Sequence, residues 1–411
     1  MSEAIVKDIL GNVSFINMGQ SPDSIYYNEE GNGLPLIQGN ADIKDRKSIK
    51  RFYTSQITKV CNEGDILLTV RAPVGYIGVA TYESCVGRGV CSIKANGIDS
   101  KYLFYLLIQN EDNWKTFEAG TTFSAVTSKE VYNFPLLLIK SKTEQQRIAK
   151  ILSTADAVIE KTQAAIAKYK AIKQGMLQDL FTRGIDINTG KLRPRLEEAP
   201  HLYKESKLGW IPREWDDKEL GDVGEVRMCR RVFNYETNDQ GDIPFYKIGT
   251  FGKQPDAYIS KELYDSYRQQ FSFPNKGDIL ISAAGTIGRT IIYDGTPSYF
   301  QDSNIVWIEN NGELISNEYL YQVFQIVEYK TEGGTIQRLY NSILKSALFP
   351  CPPKPEQQLI TERLKSIDNK LQTEQTHLQK MQSLKKGLME NLLSGRKRVK
   401  VAEELITQND N

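Results

Sequence analysis

EQQRIAKIL (Glu144–Leu152) returns as EQQLITERL (Glu356–Leu364), 212 positions further on. Reading outward, KQGMLQDLF (Lys173–Phe181) matches KKGLMENLL (Lys385–Leu393) at the same distance. Upstream, GDILLTV (Gly64–Val70) matches GDILISA (Gly277–Ala283) 213 positions later, and EAGTT (Glu118–Thr122) resembles EGGTI (Glu332–Ile336) at 214. ILGNV (Ile9–Val13) resembles ELGDV (Glu219–Val223) at 210. Kept order with small drifts in spacing is the mark of a duplicated unit, and a period this long is no solenoid. The 411 residues divide into a globular stretch, a helix and linker, a second globular stretch and a second helix with its tail, at 1–142, 143–199, 200–354 and 355–411. Each stretch of this size can bury its own core.

The duplicated helices carry a seam. Apolar residues recur at alternating steps of four and three: Ile148, Leu152, Ala155, Ile159, Ile166, Tyr169, Met176 and Leu180. The second copy has Ile360, Leu364, Ile367, Leu371, Leu378, Met381, Leu388 and Leu392. Thr162 and Lys173 fill the gaps in one copy, Glu374 and Lys385 in the other. A spacing of 3.5 kept for about five heptads predicts a coiled coil. Thr143 is expected as N-cap, Pro355 in the first turn, and Gly184 and Gly395 as stops. Each helix of about 40 residues would be about 60 Å long. The seams could pack on their own globular domains. They outrun such a domain, however, so they are expected to bury each other, and an internal two-fold would make them antiparallel. The globular domains would then stand at opposite ends of a spacer. The seam lysines, Lys173 and Lys385, are expected to snorkel to water.

Both globular stretches alternate short apolar runs with Gly, Pro, Asn and Asp clusters. LPLIQGN (Leu34–Asn40), VGYIGVA (Val74–Ala80) and VCSIKAN (Val90–Asn96) have counterparts in IPFYKIG (Ile243–Gly249), TIIYDG (Thr290–Gly295) and NIVWIEN (Asn304–Asn310). They read as strands with tight turns. KYLFYLLIQ (Lys101–Gln109) and EYLYQVFQIV (Glu318–Val327) read as helices, so each domain is α+β with a strand-rich core.

Composition narrows the chemistry. Two histidines, His201 and His377, stand apart from other ligand types, which disfavours a zinc site or a His-based nucleophile. No GxxxxGK[ST] loop and no GxGxxG after a strand is present. Glu328-Tyr329-Lys330 has nuclease-like spacing but falls in an expected helix. Cys351-Pro352-Pro353-Lys354 lacks the acidic or amide residue and the aromatic of an amino-methyltransferase signature. Five cysteines with no CxxC pair suit free thiols in a reducing cytoplasm. No apolar run reaches the ~18 residues of a membrane span, and no signal peptide is visible. Lys+Arg is 52 against Asp+Glu 51, with residues 200–350 carrying 16 basic and 21 acidic side chains. Bulk basicity is therefore not a guide to partners.

Polar and basic residues in the turns are. Gln38, Asn40, Arg46, Arg51, Arg71, Arg88, Thr121 and Thr122 mark the first domain. Arg230, Arg231, Lys247, Thr250, Arg289, Gln301, Asp302, Ser303, Gln337 and Arg338 mark the second. Arg and Lys suit guanine edges, Gln and Asn adenine edges, Ser and Thr phosphates. Any one of them also reads as a solvated surface residue, and Arg71 and Arg88 as partners of a nearby carboxylate.

Nearly the whole chain resembles the specificity (S) subunit of type I restriction–modification enzymes. The resemblance rests on YKESKLGWIPREWDDKEL (Tyr203–Leu220), EQQRIAKILSTADAVIEKTQ (Glu144–Gln163), MLQDLFTRGID (Met176–Asp186), PPKPEQQLITERL and KKGLMENLLSGRKRV. It implies two target recognition domains on double-stranded DNA, one per half of a bipartite site. It also implies an antiparallel coiled coil that sets the spacing and docks two methylation (M) subunits, with restriction (R) subunits completing the complex. No cofactor is then expected on this chain: S-adenosylmethionine, ATP and Mg belong to the partners. Two departures stand out. The first domain lacks its own LGWIPREW lead-in, so either that lead-in is trimmed or the C-terminal tail packs in its place. The acidic second domain implies weak DNA binding by the free subunit. Rival readings are a coiled-coil scaffold that never touches DNA, a self-sufficient nuclease or methyltransferase, and a specificity subunit of an orphan methyltransferase or another phage-defence system without restriction.

Overall fold

The computed structural model describes residues 5–114, 116, 125–329 and 338–399. It forms two compact units, Met1–Ala165 with Glu374–Asn411, and Ile166–Thr373. Each unit holds one strand-rich domain and part of both long helices, Lys142–Thr182 and Lys354–Leu392.

In the first unit a six-stranded sheet runs Ser14–Met18, Val90–Ala95, Ile66–Thr69, Ile77–Val79, Lys47–Ser48, Ile43–Lys44. A five-stranded sheet runs Tyr27–Asn28, Phe52–Thr54, Leu34–Ile37, Ser84–Val86, Val60–Cys61. The strand Ile66–Thr69 is buried along its whole length and pairs on both edges, consistent with its unbroken apolar run. Ile5–Ile9 pairs antiparallel with Pro135–Ile139, which leads straight into the long helix. Trp114 stacks on Phe134 with ring centroids 3.7 Å apart. That core continues into Ile148 and Leu152 near the start of the first long helix, and into Met389, Leu392 and Leu393 at the end of the second.

The second unit repeats the plan. Gly224–Met228, Ile305–Asn310, Ile279–Ser282 and Thr290–Ile292 form one sheet; Tyr258–Ile259, Ile243–Tyr246 and Tyr299–Phe300 another. Asp216–Glu219 pairs with Leu348–Cys351, just before the second long helix. Trp215, Tyr319 and Phe349 share a core with Leu177, Leu180 and Phe181 of the first long helix and Ile360 and Leu364 of the second. The segment expected to be helical to Val327 ends its helix at Val323. There the Gln325 and Ile326 amides turn back three residues, to the carbonyls of Gln322 and Val323.

In both units the start of one long helix lies against the end of the other, which is antiparallel packing. Of the seam, Ile148, Leu152, Ile166, Ile360, Leu364 and Leu371 are buried; Ile159, Tyr169, Met176, Leu378, Met381 and Leu388 are half-buried. The seam lysines do not reach for water. Lys385 meets Asp156 at 2.5 Å in the first unit, and Lys173 meets Asp368 at 2.5 Å in the second. The pairs are related by the same 212 positions, so the duplication is written into charge as well as into apolar contact. Partial burial is the reason: a lysine on a seam facing an aspartate on the neighbouring helix gains more from the pair than from extension.

The helix ends are built from the duplicated glutamates. Ser141, not Thr143, caps the first helix, its Oγ accepting from the Glu144 amide at 3.3 Å. Glu356 is 1% exposed and its carboxylate is fully engaged. It accepts from Arg193 (2.5 and 2.9 Å), Trp215 Nε1 (2.9 Å) and the Ile185 amide (2.6 Å). Glu144 accepts from Arg398 (2.7 and 2.5 Å) and the Val399 amide (3.2 Å). Residues past the second helix thus complete the start of the first. Gly184 and Gly395 turn the chain at φ of 65° and 69°. A side chain on Gly184 would also strike Trp215 and Glu356, so glycine is required there twice over. All five cysteines are free and buried, and burial pushes the Cys61, Cys91 and Cys229 thiols up to about 12.

Candidate nucleic-acid interface

The expected turn residues gather where parallel strands end side by side. In the second unit Phe245 and Tyr246 pair with Tyr299 and Phe300, and both strands run out into turns, Lys247–Thr250 and Gln301–Asn304. The stretch after Gly224–Met228 arrives beside them, since the Tyr299 hydroxyl donates to the Arg230 carbonyl at 3.1 Å. A cavity of about 310 Å³ opens here, lined among others by Arg231, Lys247, Gln301, Asp302, Ser303 and Arg338.

Its walls are held by their own hydrogen bonds. Gln301 Oε1 accepts from the Ile248 amide at 2.9 Å, which fixes the side chain in the cavity wall. Asp302 accepts from Arg231 Nε at 2.9 Å and from the Ser303 hydroxyl at 3.1 Å. Ser303 sits at φ 59°, a left-handed turn that sets its neighbours' direction. Lys247 Nζ pairs with Asp256 at 2.9 Å. The floor therefore offers a carboxylate, an amide and cations together, a donor and acceptor set fit for base edges and phosphates.

The first unit has the same frame with other residues. Cys85 and Val86 pair in parallel with Leu36 and Ile37, and the chain continues into Gln38–Asn40 and Gly87–Gly89. The Gly87 amide donates to the Ile37 carbonyl (2.8 Å), and the Arg88 amide to Ser21 Oγ (3.1 Å). A Cβ on Gly89 would lie 2.1 Å from the Gln38 carbonyl oxygen, so glycine lets the turns close and presents Arg88 to solvent. The half-buried Asn40 keeps a buried Oδ1 that accepts no hydrogen bond among the described residues.

A further match lies beside these turns. Arg71 forms an antiparallel bridge with Ala125, and Ala284 forms one with Arg338. In each unit the preceding residue ties this bridge to the turn: Val70 donates to the Gly89 carbonyl at 2.9 Å, Ala283 to that of Asn304 at 2.7 Å.

Other expected residues bond to the scaffold. Thr250 Oγ1 accepts from the Lys247 amide at 3.1 Å and closes that turn. Arg289 donates to the Phe251 carbonyl at 2.8 Å and does not line the cavity. Arg46 is forked onto Glu111 and lies over the Tyr76 ring, and Arg51 pairs with Asp42. Thr121, Thr122 and Gln337 lie outside the described residues. Gln20 and Ser21, which reach the first site, carry no signal alone; aligning Met18–Ser21 with Met228–Arg231, 210 positions on, brings them out. No cluster of three or more metal-ligating side chains occurs among the described residues.

Known proteins resemble this chain in sequence and fold. A family model described as "Type I restriction modification DNA specificity domain" matches residues 9–169 and again 212–383. A Haemophilus influenzae protein described as a type I restriction enzyme specificity subunit is 55% identical over 179 residues, 43% of this chain and 46% of its own. The MjaVIII specificity subunit of Methanocaldococcus jannaschii is 26% identical over 406 residues, 93% and 90% of the two chains. The match to the Haemophilus protein thus spans less than half of that relative's length. In fold, a type I restriction–modification S subunit from M. genitalium superposes with a TM-score of 0.63 at 16% identity, over 95% of this chain and 97% of the other.

Proposed function

The chain belongs to the type I restriction–modification DNA specificity family, and from that premise we propose that it directs a methylation and restriction complex to a bipartite site on double-stranded DNA. Each domain reads one half-site through the turns at its strand ends. The observation that carries this is the pair of matching frames with unlike floors: Gln38 and Gly87-Arg88-Gly89 in one, Lys247 and Gln301-Asp302-Ser303 in the other. One frame with two sets of donors is what two different half-sites require.

The long helices, 41 and 39 residues, serve as a spacer of about 60 Å and as the docking face for two methylation subunits. The chain itself is non-catalytic. Adenine methylation with S-adenosylmethionine falls to the methylation subunits, and ATP-driven work with Mg to the restriction subunits. No described helix is long and apolar enough to cross a membrane.

The test is the methylome of cells carrying this chain with its methylation partner. A single two-part motif with an unspecified gap is expected. Arg88→Ala should relax one half and Gln301→Ala the other. A continuous motif, or one variant altering both halves, would contradict the reading.

A further inference from the structure

We propose that Arg71 and Arg338 are one and the same DNA-backbone anchor, held in equivalent places by opposite strands of an equivalent bridge. The inference rests on the DNA-reading role above and assigns these two residues a task distinct from that of the turns.

The duplication supplies the alignment. Gly64–Val70 matches Gly277–Ala283 at 213 positions, which sets Arg71 against Ala284. The backbone sets Ala125 against Arg338, because the residues that follow them, Val126 and Leu339, donate to the carbonyls of Val70 and Ala283 at 2.8 and 2.9 Å. Residue by residue the arginine is therefore matched at neither position. In space it is kept, because Arg71↔Ala125 and Ala284↔Arg338 are the same antiparallel bridge. Residues directly opposite in such a bridge project their side chains from the same face, with Cβ atoms about 5 Å apart. Each domain thus sets one exposed arginine at one spot beside its reading turn.

The chemistry it serves follows from what else differs. The turns beside it have diverged from Gly-Arg-Gly to Gln-Asp-Ser-Asn, as readers of different bases would. A cation retained through that divergence, at the cost of changing strands, serves what both half-sites have in common. That is the phosphodiester backbone. A guanidinium suits it through its paired donors. In the second unit the arginine borders the cavity that Lys247 and Gln301 line, so a strand whose bases enter the cavity has its phosphates at the rim.

The experiment uses the complex of this chain with its methylation subunit and a duplex carrying the mapped motif. Arg71→Ala and Arg338→Ala should each weaken binding about 3- to 10-fold near 0.15 M salt and flatten the plot of log K against log salt by about one, with the double variant flattening it by about two. The methylated motif should stay unchanged in all three. Moving the cation across the bridge, R71A with A125R, should restore both affinity and slope; Arg71→Lys should keep the slope if the moved arginine disturbs folding. A changed base in either half-site would make these residues base readers and overturn the proposal. So would wild-type slopes in the alanine variants, or no recovery from either R71A/A125R or Arg71→Lys in complexes that assemble normally. If the wild-type complex shows no motif-dependent binding, the reading of function fails instead.

Discussion

At the scale of single residues, the strongest constraint is the buried carboxylate of Glu356. Arg193 and the Ile185 amide, from one hairpin, and Trp215, from the segment before Asp216, satisfy it together. Arg193→Ala would leave that charge buried with half its partners, a loss of about 3–5 kcal/mol. Trp215→Phe removes one donor and should cost about 1–3 kcal/mol; chemical denaturation measures both. Glu144 shows the pH consequence. The Arg398 guanidinium hydrogen-bonds its carboxylate and holds it below the usual carboxylate range. A carboxyl depressed in the folded state stabilises above its unfolded pKa of about 4.3 and loses that stabilisation as pH falls through the folded value. The wild type should therefore lose melting temperature on acidification more steeply than Arg398→Ala. Equal slopes would remove this pair from the account. Little of this was legible beforehand: Arg193, Trp215 and Arg398 lie in irregular segments, where no periodicity points to a distant partner.

At the scale of elements, the helices were the most legible part of the chain. A 3.5 spacing repeated in two copies leaves one apolar face to be covered, and the seam residues are buried or half-buried in both. What pattern alone hid was the lysines' partners. Asp156 and Asp368 stand off the seam, and only the antiparallel arrangement brings them to Lys385 and Lys173. A double-mutant cycle on Lys385 and Asp156 should return a coupling of about 1–2 kcal/mol, above the range of exposed pairs because both side chains are partly buried. A coupling near zero would mean the pair does not set register. The equivalent positions Thr162 and Glu374 offer a second handle. Four residues added at both would lengthen each helix by about 6 Å and keep both ion pairs in register. The gap in the methylated motif should widen while both half-sites stay as they are.

At the scale of the whole molecule, duplication organises function. Each unit repeats one set of sheets, one parallel strand pair ending in polar turns and one bridge arginine. The turns were legible as polar clusters, but their internal bonds were not: Arg46, Arg51, Thr250 and Arg289 look like Arg71 or Arg88 in sequence, and only the structure shows the scaffold groups they bond. A domain exchange is decisive: the methylated motif is mapped before and after residues 200–354 are replaced by the second domain of another family member. Independent reading by two domains predicts that one half of the motif is exchanged while the other half and the gap persist. Alteration of both halves, or of neither, would contradict it.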